Sequence, residues 1–230
     1  MDFTSSLTPS DIEYFRKTPI VMKKHDEHGN YLPFHGYSVI SFVKTDLHIL
    51  HDFLQNSKVI KNHVSPLPPS SYHQTNYNIW CYNAKPIKFV QDWLGGDKTR
   101  FLTDSNFIPA RDIQPVMSKA QDAWKEVEED NVAVLYENID ASVALTMNMK
   151  FEDSSINEKY KSAKEKCDEI FEKHDKVWPH ITFGYIYKKI TEKDREEFYK
   201  ELKEFESLIP KRIVLGKPVL TVFPSMEKFI

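Results

Sequence analysis

The stretch SSYHQTNYNIW, Ser70 to Trp80, places a histidine and a threonine two residues apart at the start of a strand-like run. A second stretch, VWPHITFGYIY from Val177 to Tyr187, repeats this His-x-Thr pattern about half a chain length later. Residues two apart in a strand point to the same face of a sheet. Each motif therefore presents an imidazole and a hydroxyl together, and two such strands side by side would bring four polar groups to one surface.

The segments around the motifs alternate between strand and helix patterns. The patterns predict strands over 36–43, 72–80 and 180–187, an antiparallel pair formed by NVAVLYEN and ASVALTMNMKFED, and closing strands in KRIVLGKPVLTVF. They predict helices after Thr45, within PIKFVQDWLGG, over 115–128, over 156–174 and after Thr191, where Asp194 completes a capping box. A helix, a proline-containing loop and a His-x-Thr strand thus occur twice, as two related lobes would require.

Charge and composition limit the class of partner. The formal net charge is −3 and the pI is about 6.3, so no global basic field favours tight binding of duplex nucleic acid. Two cysteines, Cys81 and Cys167, do not form a disulfide framework. No secretory signal or run of about 18 apolar residues is evident, so we expect a cytoplasmic protein without membrane association.

The two motifs suit the chemistry of a phosphodiester. A neutral imidazole can take a proton from the attacking water, and a protonated one can give a proton to the leaving oxygen. Threonine hydroxyls can donate to the non-bridging phosphate oxygens, where negative charge is stabilised. This chemistry needs no metal and no cofactor. The histidines outside the motifs have no partner cysteines or clustered carboxylates, so the sequence predicts no metal site.

The pair HQT and HIT, each opening a strand, resembles the two-histidine (2H) phosphoesterase superfamily. The resemblance covers about residues 34–230. It implies an α+β fold that is bilobal, with two pseudo-symmetric antiparallel sheets flanked by helices around a central cleft. It also implies that His73 and His180 form the acid/base pair and that Thr75 and Thr182 bind the phosphate. We accordingly expect an N-terminal extension over 1–30 and a single domain over 31–230.

The first motif departs from the family pattern. Strict alternation puts the amides of Gln74, Asn76 and Asn78 opposite His73, where they need partners if buried. Either that face is partly wet or the strand is irregular. The same alternation puts Tyr77 on the histidine face, where it can stack on a base or simply pack in the core. Trp178, at the mouth of the second strand, has the same two possible roles.

We expect a metal-independent phosphodiesterase that hydrolyses a nucleotide or short-RNA linkage, either a 2′,3′-cyclic phosphate or a 2′-5′ bond. One alternative is a cyclic phosphodiesterase for ADP-ribose or a signalling nucleotide. A different class of alternative is a catalytically silent module that binds nucleotide or RNA in the same cleft. The expected partner is a nucleotide or short single-stranded RNA, bound by a monomer.

Overall fold

A computed structural model describes residues 24–32, 34, 36–81, 88, 118–127, 130–176, 178–223 and 225–229. Its strands are β1 (Gly36–Phe42), β2 (Val64–Pro66), β3 (His73–Cys81), β4 (Val132–Asp140), β5 (Ala144–Phe151), β6 (His180–Ile186), β7 (Arg212–Leu215) and β8 (Val219–Phe223). The main helices in the described ranges are α1 (His48–Asn56), α2 (Ser154–Phe171) and α3 (Glu192–Leu208). Short 3₁₀ turns lie at Ile60–Asn62, Pro69–Ser71 and Lys125–Val127.

All the strand pairs between named strands of the described chain are antiparallel. The strand order is β7-β4-β5-β6-β3-β1-β8, and β2 pairs with β6. The two halves of the sheet meet where β3 pairs with β6, at Gln74 and Ile181. Just after the C-terminal end of β1, an isolated bridge joins Val43 to Leu215 of β7. The predicted α+β class is confirmed. The two expected sheets, however, form one continuous sheet, because β3 and β6 pair with each other.

The helix α3 begins where the sequence pattern places its cap, whereas α1 begins at His48 without a side-chain cap, because the Thr45 hydroxyl predicted to cap it accepts from the Val214 backbone N–H instead. The Thr191 side chain accepts a hydrogen bond from the Asp194 backbone N–H, which starts α3 as the capping box predicts. Asp153 accepts from the Ser155 backbone N–H in the same way at the start of α2. The buried stripe of α2 recurs at helical spacing and packs against the sheet; it consists of Ile156, Tyr160, Ala163, Cys167 and Phe171.

Two of the predicted helices lie partly or almost wholly outside the residues that the structure describes. Residues 118–123 are helical, inside the helix predicted over 115–128. The short helix predicted in PIKFVQDWLGG lies, apart from Lys88, outside the described residues. Cys81 is half-buried and Cys167 is buried, and no disulfide joins the two. None of the helices in the described ranges combines the length and the apolar character needed to cross a membrane.

The described part of the predicted N-terminal extension packs against the second half of the sheet. His25 forms a bridge with Tyr31, and the Tyr31 hydroxyl donates to the Ser65 backbone carbonyl at 2.7 Å. The Ser65 hydroxyl donates in turn to the Gly29 carbonyl. These contacts tie residues 24–31 to β2 and bring Lys24 to the surface of the cavity described next. The domain boundary at residue 30 stays a prediction.

Candidate active site

Two register shifts in β3 determine which of its side chains share a face. Against β1, Val39 pairs with Tyr77 while Ile40 pairs with Thr75, so Asn76 is an extra residue. A second shift lies between the partners Trp80 and Asn78. Each extra residue reverses the alternation of the strand. Consequently the side chains that reach the cavity from β3 are His73, Thr75, Asn78 and Cys81.

Both His-x-Thr motifs line one cavity of about 310 Å³. The pairing of Gln74 with Ile181 places the motifs side by side in antiparallel register. The structure thus brings together in one cavity the four residues predicted to be catalytic, His73, Thr75, His180 and Thr182.

The two imidazoles are oriented by equivalent hydrogen bonds. Nδ1 of His73 lies 2.7 Å from the Ser71 carbonyl, and Nδ1 of His180 lies 2.8 Å from the Trp178 carbonyl. A carbonyl only accepts, so each Nδ1 carries the hydrogen, and each Nε2 of the neutral ring keeps a lone pair. Nε2 of His73 lies 3.2 Å from the Thr75 hydroxyl, which can donate to it. Nε2 is therefore the atom of each ring suited to proton transfer.

Burial keeps both histidines neutral near pH 7. Desolvation lowers the pKa of His73 to about 4, more than the Ser71 hydrogen bond raises it, and the charges of His180 and Lys24 lower it further. Desolvation also lowers the pKa of His180, again with a contribution from Lys24. The Phe229 ring, with its centroid 4.2 Å from that of His73, is part of this apolar surrounding. The cavity thus holds two potential bases.

Lys24 is a site residue that sequence reasoning missed. It lines the cavity, and its Nζ donates to the Tyr185 hydroxyl at 3.0 Å while lying 4.3 Å from the centroid of that ring. An ammonium at this position favours an anion such as phosphate. The basic pair in VMKKHDEHGN was the only sequence signal, and it lies in a segment that the motif pattern sets apart from the domain.

The prediction that Tyr77 contacts substrate is wrong. Tyr77 is fully buried, stacks on Phe171 and donates its hydroxyl to Asp168 at 2.8 Å. The extra residue at Asn76 turns Tyr77 away from the histidine face and toward α2. The other possibility, a core aromatic, is the one the structure shows.

The amides of the first motif are explained by the irregular strand. Gln74 and Asn76 are buried, the Gln74 amide donates to Asn76 Oδ1 at 2.9 Å, and the Asn76 amide donates to the Ser41 hydroxyl at 2.9 Å. Asn78 is returned to the cavity face by the register shift. Of the two explanations open from the sequence, irregularity of the strand holds.

Trp178 stands exposed beside the second motif. Its side chain is 61% exposed, and its ring centroid lies 5.6 Å from that of His180. The indole N–H donates to Asn148 Oδ1 at 2.9 Å, and Asn148 pairs with His180 across β5 and β6. An exposed ring held in place by a hydrogen bond is suited to stacking. Its contact with substrate stays a prediction.

Metal ligation has no evident location in the part of the chain that the structure describes, which contains no group of three or more His, Cys, Asp or Glu side chains able to hold an ion. The motif histidines also have their Nδ1 atoms turned to backbone carbonyls. Independence from metal stays a prediction, to be tested with a chelator.

Comparison with known proteins identifies relatives without an assigned activity. No protein-family model matches the sequence. The chain is 28% identical over 186 residues to uncharacterized protein 127L of Invertebrate iridescent virus 6, covering 76% of this chain and 77% of that protein. Its fold is similar to that of a conserved protein of unknown function, ATU0111 from Agrobacterium tumefaciens str. C58. That structure gives a TM-score of 0.63 at 16% identity, covering 96% of this chain and 97% of that one.

Proposed function

We propose that this protein is a metal-independent phosphodiesterase of the two-histidine type that acts on a nucleotide or short RNA. The observation that supports it most is the meeting of His73, Thr75, His180 and Thr182 in a single cavity. These residues come from segments far apart in the chain, and an acid/base pair with two hydroxyl donors is what in-line displacement at phosphorus requires.

In the proposed reaction the two histidines have different roles. Nε2 of His73, the ring whose pKa burial lowers to about 4, takes a proton from the attacking water as its oxygen bonds to phosphorus. The bond from phosphorus to the leaving oxygen breaks, and protonated His180 gives that oxygen a proton. The negative phosphate raises the pKa of both rings on binding, which supplies the protonated His180. The hydroxyls of Thr75 and Thr182 and the Lys24 ammonium face the developing charge.

The second candidate is a catalytically silent module that binds the same ligands. The burial of His73 against Phe229 favours it, because a ring that resists protonation and is partly covered contributes less to turnover. The polar amides of the first strand no longer favour it, since Gln74 and Asn76 belong to a hydrogen-bonded network behind the cavity.

Substitution of the histidines tests the proposal. We expect His73→Asn and His180→Asn each to lower kcat by about 10²- to 10⁴-fold on a panel of 2′,3′-cyclic nucleotides, 2′-5′ oligoadenylates and cyclic dinucleotides. His48→Asn, at an exposed position on α1, is the matched control and should retain full activity. Circular dichroism checks that all three variants fold. Turnover by the wild type should be undiminished in excess chelator.

Three outcomes would contradict the proposal. Equal rates for the wild type and the folded histidine variants would exclude the paired-histidine mechanism. Binding without turnover across the whole panel would select the silent module, and a loss of turnover in chelator would indicate a metal enzyme.

A further inference from the structure

A second cavity of about 440 Å³ adjoins the first, between β3 and α2. Thr75 lines both cavities, so a phosphate held at Thr75 has one cavity on each side. The second cavity is also lined by Gln74, Asn157, Lys161 and Trp178. Its volume lies within the range of small-molecule sites, about 300–1,000 Å³.

Gln74 supplies a buried acceptor at the wall of this cavity. Its side chain is 2% exposed. Its amide N–H donates to Asn76 Oδ1, and the Asn76 amide donates to the Ser41 hydroxyl. Gln74 Oε1 is buried and accepts no hydrogen bond from the described residues. A buried acceptor without a donor is unfavourable, and a ligand N–H or O–H would relieve it.

The remaining wall combines an aromatic ring with two lysines and three acids. Trp178 is exposed, and Lys161 and Lys164 line the cavity from α2. Of the acids there, Asp168 is already bound by the Tyr77 hydroxyl, His174 and the Asp175 backbone N–H. Asp175 accepts from the Asn78 backbone N–H, and Glu165 is exposed. A ring for stacking, an acceptor for a base edge and lysines for phosphate match the parts of a nucleotide.

We propose that this second cavity is a nucleotide subsite, so that the substrate carries a nucleoside on each side of the scissile phosphate. The inference rests on the proposed phosphodiesterase function and narrows it. The sequence leaves two kinds of substrate possible. The subsite favours a linear oligonucleotide over a mononucleotide 2′,3′-cyclic phosphate, because the latter fills only one cavity.

A ratio of rates tests the subsite. The quantity is kcat/KM for a triadenylate, 2′-5′- or 3′-5′-linked, divided by kcat/KM for 2′,3′-cyclic AMP. We expect the wild type to prefer the triadenylate and Lys161→Ala to lower the ratio about tenfold, through loss of a charge-assisted contact. Lys166→Ala, on α2 but paired with Glu126 away from the cavity, is the control and should leave the ratio unchanged. The effect of Lys161→Ala should shrink at high salt.

Gln74→Met removes the buried acceptor and should lower the same ratio. Because this side chain is buried, its variant can lose stability, and the exposed Lys161 keeps the test independent of folding. Turnover of both substrates with a ratio unaffected by Lys161→Ala would overturn the subsite and leave the phosphodiesterase intact. If neither substrate is cleaved, the proposed activity fails. Calorimetric titration with triadenylate then tests whether the second cavity binds a nucleotide. Weaker binding by the Lys161→Ala variant supports the subsite, and absence of binding to the wild type overturns the subsite.

Discussion

The two cavity histidines differ from ordinary histidines because water is excluded from their rings. Desolvation lowers both pKa values, that of His73 to about 4 and that of His180 below its ordinary value. In the free enzyme kcat/KM should therefore rise with pH as His73 loses its proton and fall as His180 loses its proton. We predict a bell-shaped profile of kcat/KM that is centred on the acid side of pH 7. The profile of kcat should lie at higher pH, because the bound phosphate raises both pKa values. Stopped assays across pH 3.5–9 measure both.

Lys24→Gln provides a check on this assignment. The Lys24 charge lowers the pKa of both rings, so its removal should move both limbs of the kcat/KM profile to higher pH. It should also raise KM, because the phosphate loses a cation. A kcat/KM profile centred above pH 7 in the wild type, or one that Lys24→Gln leaves in place, would contradict the electrostatic account.

The sequence predicts those parts of the site that depend only on two residues lying two positions apart in a strand. His73 and Thr75, and His180 and Thr182, share a face because no extra residue lies within either motif. The prediction fails for Tyr77, because Asn76, the residue before it, is an extra residue in the pairing with β1. The alternation of the sequence does not reveal this extra residue. It misses Lys24 because the contacts that carry it to the cavity are made through Tyr31 and Tyr185 rather than through a motif.

Among the secondary-structure elements, α3 supports the chain that leads into β2. Glu201 on α3 is buried and accepts hydrogen bonds from the backbone N–H groups of Lys58, Val59 and Ile60, at 2.7–3.0 Å. Glu201→Ala leaves these donors without their acceptor. A buried polar group left without a hydrogen bond lowers the stability by about 1–3 kcal/mol. We predict that the free energy of unfolding, measured in urea, falls by about 3 kcal/mol.

Glu204→Ala is the matched control for this prediction. Glu204 lies one turn later on the same helix and is exposed. Its substitution should change the free energy of unfolding by less than about 0.5 kcal/mol. Similar effects of the two substitutions would show that Glu201 acts through helix propensity and not through its hydrogen bonds.

The elements themselves follow from local patterns, but their long-range contacts do not. Thr191 and Asp194 identify the start of α3, and the apolar stripe of α2 identifies its buried face. The partner of Glu201 lies more than 140 residues away along the chain. No periodicity encodes such a contact, and register shifts are likewise fixed by the neighbouring strand.

For the whole molecule, the sequence predicts the α+β class and the convergence of two halves, while the way they join emerges only from the structure. The join is the pairing of Gln74 with Ile181, between the two motifs. Ile181 is fully buried and lies between His180 and Thr182, with Met147 as its partner on β5. The relative position of the motifs therefore depends on core packing at this point, because each ring is oriented by a backbone carbonyl of its own half, Ser71 for His73 and Trp178 for His180.

Comparison of two buried isoleucines tests this dependence. Ile181→Ala and Ile213→Ala each remove a fully buried side chain, the first at the join and the second on β7, where Ile213 pairs with Val134. Each should lower the free energy of unfolding by about 2–5 kcal/mol. Only Ile181→Ala should also lower kcat, by about 10²-fold, because a shift near 1 Å between reacting groups has that effect. Assays are made at a temperature where both variants are folded by circular dichroism. Equal kcat values for the two variants would show that the motifs are held in place by elements other than the join.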